Sequence, residues 1–361
     1  MKQSRSTRGS TSEVHPVLSL KGRDWLLLSR RQQDKWIDRG FQYWRNRGFP
    51  YTELSTKDVL RELAWLQSFY VGRVLKLRTI PHSVAGLRLA NHFHPQMWRV
   101  SVSGYRTPVQ CFEDNEILRD CLRKALSFFP DRISWSGRCL RSTLRTYRHT
   151  SRVSNFRPTV ARAIYDKYSR EGDRILDFSA GFGGRLLGCL SLPRFYTGID
   201  PCSAQIKGLR RMIRRVGHLL PGRANIIQGC AENVLADFRS NSFDLVFSSP
   251  PYFDHERYSK EPTQSYIRFP TYDSWRQNFL ERTLVFCYRV LRPGGIMVIN
   301  VANPPGGIPL VGDTRDICTA LFTPREVIRM PLRQAPQRQR VTNKAFKHEP
   351  ILVFEKSRRR R

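Results

Sequence analysis

No Cys-x-x-Cys pair occurs in this chain. Its eight cysteines stand singly at 111, 121, 139, 189, 202, 230, 287 and 318, several inside apolar runs where a reduced thiol acts as a small hydrophobe. That argues against a paired-cysteine zinc or redox motif and points to a reducing cytosol. His92 and His94, one residue apart, lack the further ligands a metal site needs, so no metal is expected. Apolar runs of membrane-spanning length are missing, as is a signal-peptide core, which predicts a soluble, cytoplasmic protein with no membrane partner. Acid is scarce: 30 Asp+Glu stand against 62 Lys+Arg, a formal net charge of +32. The imbalance is general, since residues 1–150 alone hold 27 Lys+Arg against 12 Asp+Glu. A chain this basic is expected to meet a polyanion, because neutralising phosphates releases their counterions. Its 361 residues, 40% of them hydrophobic, suffice for one large domain and a smaller one.

What is present divides into four stretches. Residues 1–20 are Ser/Thr-rich and basic and read as a tail. Residues 21–152 read as mainly helical: Trp25, Leu28, Trp36, Ile37, Phe41 and Trp44 recur at helical spacing, and Ser55 caps a second helix expected to bury Val59, Leu60, Leu63, Leu66 and Phe69. Residues 71–110 give no firm assignment. Within 138–152, Arg138, Arg141, Arg145, Arg148 and Arg152 recur at spacings of three and four, which predicts one basic helical face. No acid lies near to neutralise it, so the row reads either as a solvated stripe or as a phosphate-tracking helix. Residues 357–361 form a basic tail.

From 153 to 356 helix and strand alternate, which predicts an α/β fold with a doubly wound, mostly parallel sheet. Pro158 suits the first turn of a helix from Arg157 to Tyr168. The strand Ile175-Leu176-Asp177-Phe178 runs into Ser179-Ala180-Gly181-Phe182-Gly183-Gly184, glycines that let backbone approach a ligand. The next strand, Phe195 to Ile199, ends in Asp200, placed about 20 residues on as a ribose-binding carboxylate would be. The third glycine of G-x-G-x-x-G is missing, which argues against a dinucleotide enzyme. A third strand, Ala224 to Gln228, leads to Gly229-Cys230-Ala231-Glu232. A fourth, Phe243 to Phe247, leads to Ser249-Pro250-Pro251-Tyr252, where two prolines forbid helix and ladder alike. That leaves a stiff loop with exposed carbonyls and a ring at its tip. The loop from Asp254 to Tyr272, studded with Tyr258, Tyr266, Phe269 and Tyr272, either closes over a substrate or packs on its own scaffold. Arg292-Pro293-Gly294-Gly295 is expected to turn into a strand from Ile296 to Val301, and Glu326–Met330 and Ile351–Phe354 to form a closing hairpin.

The ordered set of glycine turn, Asp200 and Ser-Pro-Pro-Tyr, over about residues 155–355, resembles the class I S-adenosylmethionine-dependent DNA amino-methyltransferases of the N4-cytosine and N6-adenine type. The resemblance implies a Rossmann-like catalytic domain with S-adenosyl-L-methionine as cofactor. It implies that Phe156, Arg157, Asp177, Phe178, Gly181, Gly183, Asp200, Ala231 and Glu232 hold the cofactor, and that Ser249, Pro250, Pro251 and Tyr252 carry the chemistry. One departure stands out: family members commonly have an acid where Cys230 lies, so the acid is displaced to Glu232 and Ala231 offers only its backbone N–H. Ser-Pro-Pro-Tyr favours cytosine N4 over adenine N6 in that family. A cysteine nucleophile of the cytosine-C5 type is missing, since Pro-Cys occurs only at Pro201-Cys202. The expected partner is double-stranded DNA, with the row from Arg138 to Arg152 as phosphate contact and the N-terminal third as target-recognition region by elimination. RNA, and a non-catalytic binding protein on the same scaffold, are the alternatives. A monomer or weak dimer is expected; a restriction endonuclease partner cannot be read from one chain.

Overall fold

The computed structural model describes residues 20–69, 83–128, 135–151, 153–331 and 348–358. It separates into two units, Met1–Thr52 with Tyr105–Arg152, and Glu53–Gly104 with Val153–Arg361. Residues 53–104, read from sequence with the N-terminal region, thus belong to the sheet-bearing unit. The expected tails, residues 333–347 between the two strands of the expected closing hairpin, and Arg152 lie wholly or mostly outside the described residues. Leu60, expected in the core, is exposed on the helix Thr56–Gln67.

The first unit is helical. Ser29 opens the helix Arg30–Arg47 with a reciprocal cap to Gln32, satisfying backbone donors that the first turn cannot. Ile37, Phe41 and Trp44 from this helix meet Leu118 and Leu122 of Asn115–Phe128 and Leu140 and Leu144 of Gly137–Thr146. Trp135 fills the centre, donating its indole N–H to the Leu122 carbonyl at 2.9 Å. Gly40 lies against that ring, where a Cβ would come within 2.9 Å.

The second unit is a seven-stranded sheet: β1 Arg174–Asp177, β2 Phe195–Asp200, β3 Arg223–Gln228, β4 Phe243–Ser248, β5 Leu291–Asn300, β6 Thr323–Pro331 and β7 His348–Glu355. The order across it is β3-β2-β1-β4-β5-β7-β6, parallel except for β7, which runs antiparallel to both its neighbours. Strict alternation sends Ile175, Leu245, Phe247, Val298 and Val353 to a core on one face. Leu176, Val246, Met297, Ile299 and Leu352 go to a core on the other. A sheet buried on both faces needs near-continuous apolar runs, which is why these strands are legible in the sequence.

Three local expectations change. The Arg-Pro-Gly-Gly segment is not a turn ahead of a strand but part of β5: Leu291 already pairs with Phe243, and the ladder slips before resuming at Leu245 and Ile296. Gly294, at φ 76°, absorbs the irregularity. The stretch expected as a loop through Tyr272 holds a short helix, Ser265–Arg268, and at Tyr272 it already enters a helix that carries a π-helical turn, Arg276–Glu281, before Arg282–Val290. The helix under the arginine row stops at Thr146, with Tyr147 already extended and His149 at φ 52°. Arg148 therefore lies beyond the helix, and the row does not form one continuous face. The physical cause is local pairing, as Thr150 bridges to Arg106 and Ser151 N–H donates to the Arg106 carbonyl at 2.8 Å.

Candidate active site

The strand order reverses between β1 and β4, the place where open α/β sheets bind ligands at their carboxyl ends. Because β1 and β4 are parallel neighbours, with Leu176 opposite Val246, the glycine turn and the Pro-Pro loop leave the sheet side by side.

Asp177, at the end of β1, is fully buried. Its carboxylate accepts from Arg185 Nε at 2.7 Å, Tyr196 Oη at 2.6 Å, Ser248 Oγ at 2.7 Å and Ser179 N at 3.2 Å. A buried carboxylate survives only when its lone pairs are filled in this way. Asp177 is thus the post to which the glycine turn, the helix behind it and β4 are tied. Arg185, Tyr196 and Ser248 lie 8, 19 and 71 residues from Asp177, separations that no periodicity links, so they escape a reading of the sequence.

Gly181 and Gly183 have φ of 57° and 74°, which a side chain would strain. A Cβ on Gly183 would come within 2.8 Å of Met212, whereas one on Gly181 would meet only the Ser179 carbonyl oxygen at 3.7 Å. The space over Gly181 is therefore open. Asp200, at the end of β2, accepts from Gly181 N–H at 2.8 Å and Cys202 N–H at 2.9 Å. Burial pushes its carboxyl up to about 6, against the pull of those two N–H groups. Phe178 and Ala231 are buried with their side chains in the core. Glu232 is buried beside Arg268, with which it forms an ion pair. Its Oε2 is buried without a hydrogen-bond partner among the described residues, and burial raises its carboxyl above the ordinary range.

The segment before the helix Pro158–Tyr168 is clamped onto the glycine turn. Asn155 donates to the Phe182 carbonyl at 2.9 Å, and a Cβ on Gly184 would collide with the Phe156 carbonyl oxygen. The Phe156 ring packs edge-on against Phe247 of β4 at 5.5 Å. Arg157 is half-buried, and burial lowers its guanidinium while the Glu349 carboxylate opposes that shift.

At the loop tip Ser249, Pro251 and Tyr252 are half-buried and Pro250 is buried. The Tyr252 hydroxyl donates to Glu349 of β7. Burial raises this phenol well above its ordinary value, Glu349 adds to the rise, and the Ser249 hydroxyl works against it. Tyr258 ties its loop to the glycine turn: its ring meets Phe182 at 5.7 Å, and its hydroxyl donates to Glu256 of the same loop. Two other aromatic residues of this loop pack on their own scaffold, Tyr266 on the Ser259 carbonyl at 2.7 Å and Tyr272 on Asp313.

Arg138 and Arg148 of the first unit are exposed. Arg141 is half-buried and donates to the carbonyls of Pro50 and, at 3.2 Å, Tyr51. His94 is buried, hydrogen-bonded through Nδ1 to the Ala90 carbonyl at 3.0 Å, and pushed down to about 4 by burial. Among the described residues no group of three or more His, Cys, Asp or Glu side chains could hold a metal. No helix among them is long and apolar enough to cross a membrane.

Residues 176–261 match the family model described as a methyltransferase domain. The span runs from β1 through the Pro-Pro loop, so a methyltransferase domain forms the heart of the second unit, and S-adenosylmethionine is the cofactor. The residues fit it: the space over Gly181 is open, Asp200 offers a carboxylate, and Glu232 Oε2 is an acceptor with no partner among the described residues.

Over 82 residues the chain is 32% identical to the type II beta methyltransferase M.BslI of Bacillus sp. strain NEB-606, covering 23% of this chain and 8% of that protein. The chain therefore spans only a small part of that curated relative. Among solved structures it is similar to a SAM-dependent methyltransferase from Methanosarcina mazei, at 16% identity and a TM-score of 0.39 over 54% of this chain and 97% of that one. It is also similar to TrmN from Thermus thermophilus, at 17% identity and a TM-score of 0.37 over 55% and 48%. At such scores the likeness adds nothing to the strand order read from the ladders themselves.

Proposed function

We propose that the protein methylates the exocyclic amine of a base extruded from duplex DNA, cytosine N4 in first place and adenine N6 as the alternative. The observation that supports this most is the Ser249-Pro250-Pro251-Tyr252 tip, leaving β4 beside the glycine turn with Ser248 bonded to Asp177. The formal charge of +32 supports a polyanionic substrate, and the stretch shared with a type II beta methyltransferase supports the same class of chemistry.

S-adenosylmethionine supplies a methyl group on a positively charged sulfur. What the chain's own residues do is position. An aromatic amine is a poor nucleophile because its lone pair is delocalised into the ring. Ser249 Oγ and the Pro250 carbonyl accept the two amine hydrogens and draw that pair out of conjugation, with no covalent intermediate. The prolines fix the carbonyl's direction. The Tyr252 ring, steadied through its hydroxyl by Glu349, gives the base a face to stack on. Extrusion costs a few kcal/mol, offset by this stacking and by phosphate contacts.

The test is transfer of labelled methyl groups to duplex DNA and to total RNA, with mass spectrometry of the modified nucleosides. We expect labelled DNA carrying N4-methylcytosine, with N6-methyladenine assigning the alternative base. Tyr252→Ala or Pro251→Ala should lower transfer about 100-fold while donor affinity, by calorimetry, is unchanged. Label in RNA alone, or equal loss of transfer and donor binding in both variants, overturns the proposal.

A further inference from the structure

Two residues beyond Tyr252 the chain lines an open cavity of about 320 Å³ to which three segments contribute. Asp254, His255 and Arg257 line one side, Ser103 a second, and Pro305 and Ile308 of the segment after β5 a third. The volume falls at the lower end of the ~300–1,000 Å³ typical of small-molecule sites.

The cavity is built rather than left over. Phe253, at φ 57°, turns the chain between Tyr252 and Asp254, and His255 N–H closes that turn on the Tyr252 carbonyl at 3.2 Å. Ser103, at φ 50°, forms the facing turn. Non-glycine residues in this region are strained and persist only where the surroundings impose them. Here a two-residue antiparallel ladder imposes them, pairing Ser101 with Arg257 and Val102 with Glu256. Ser103 N–H adds a bond to the His255 carbonyl at 2.9 Å, and its hydroxyl meets His255 Nδ1 at 3.0 Å. One loop is thereby split two ways: the Tyr252 hydroxyl is held at Glu349, while the next residues face the cavity.

The chemistry of the walls identifies an occupant. Asp254 brings an acceptor and Arg257 a planar fork of donors, 3.5 Å apart as an ion pair, so their charges balance. A phosphate would meet the carboxylate as well as the guanidinium, which argues against an anion site. Donor and acceptor side by side, in a cavity that Pro305 and Ile308 also line, suit the hydrogen-bonding edge and apolar face of a nucleobase. We propose that this cavity takes the base next to the one methylated and reads its edge through Asp254 and Arg257, making it a sequence-selecting subsite; this rests on the reading of the protein as a DNA amino-methyltransferase.

The experiment is methylation of a duplex library randomised around the modified base, with products sequenced at base resolution, for the full chain and for Asp254→Asn and Arg257→Gln. The wild type should prefer one base at a flanking position, and each variant should relax that single preference about tenfold, the discrimination one good edge contact supplies. In parallel, a duplex with an abasic site at that flanking position should be methylated by the wild type with kcat/KM about tenfold lower. That arm does not depend on how the variants fold. Unchanged preference in both folded variants, or full activity on the abasic duplex, overturns the subsite and leaves the amino-methyltransferase reading intact. No methylation of DNA by the wild type overturns both.

Discussion

Ser248 Oγ donates to Asp177 Oδ1 at 2.7 Å, joining the last residue of β4 to the last residue of β1. One hydroxyl thus ties the strand that leads into the glycine turn to the strand that leads into the loop carrying Ser249. Removing it in Ser248→Ala should cost about 1.5–3 kcal/mol in chemical denaturation, the range for a hydrogen bond to a charged group. Transfer should fall further than donor affinity does. Arg185→Met should be harsher, about 3–5 kcal/mol, because the 2.7 Å pair it breaks leaves a fully buried carboxylate short of its counter-charge. Wild-type stability in both variants would remove Asp177 from its role as anchor.

Gly184 touches the Phe156 carbonyl so closely that a methyl group cannot be admitted without moving residues 155–157. Gly184→Ala should therefore displace the segment clamped on the glycine turn and weaken donor binding about tenfold or more by calorimetry. Gly217→Ala is the control, since a Cβ there meets only Ile213 Cγ2 at 3.4 Å. Equal donor affinity in the two variants would count against a role for the clamp in cofactor binding.

Asp200 gives a pH signature. Burial raises its carboxyl from 3.8 to about 6, so the folded state holds the proton more tightly than the unfolded chain does. The stabilisation from that proton is complete below about pH 4 and is lost as pH rises through about 6. The loss is on the order of 2–3 kcal/mol, since a gap of one pH unit between folded and unfolded chains is worth about 1.4 kcal/mol. Asp200→Asn should accordingly lack this loss and gain on the wild type across that window. Donor affinity should run the other way in the wild type, weakening below pH 6 as the carboxylate that would accept ribose hydroxyls is protonated. Parallel stability curves for wild type and variant between pH 4 and 7 would refute the assignment.

Among the described residues of the arginine row, Arg138 and Arg148 are exposed, while Arg141 is engaged with the carbonyls of Pro50 and Tyr51. If the first unit contacts phosphates through this row, Arg138→Ala with Arg148→Ala should weaken DNA binding equally for all sequences. The slope of log affinity against log salt should become shallower by up to about two. Arg141→Ala should instead lower stability. An unchanged salt slope in the double variant would return the row to an ordinary solvated surface.

The strands are legible in the amino-acid order because β1, β4 and β5 are covered on both faces and so read as apolar runs. The glycine turn is legible because Gly181 and Gly183 occupy backbone conformations that other residues avoid. What escapes is non-local. Nothing near Tyr252 announces Glu349, nearly a hundred residues later. Nothing near Glu232 announces Arg268. The arginine periodicity runs past Thr146 because spacing records which face a residue would take if the helix continued. The bridge from Thr150 to Arg106, which ends it, leaves no periodic trace.

The hydroxyl of Tyr252 rests on a carboxylate from β7, the strand of the sheet that emerges last from the ribosome. A nascent chain that has folded through β5 would already possess the glycine turn, Asp200 and the Pro-Pro loop, but the Tyr252 hydroxyl would lack this partner. The contact forms only once the antiparallel strand slots between β5 and β6, so the order of synthesis makes the anchor of this hydroxyl one of the last pieces of the sheet to be laid down.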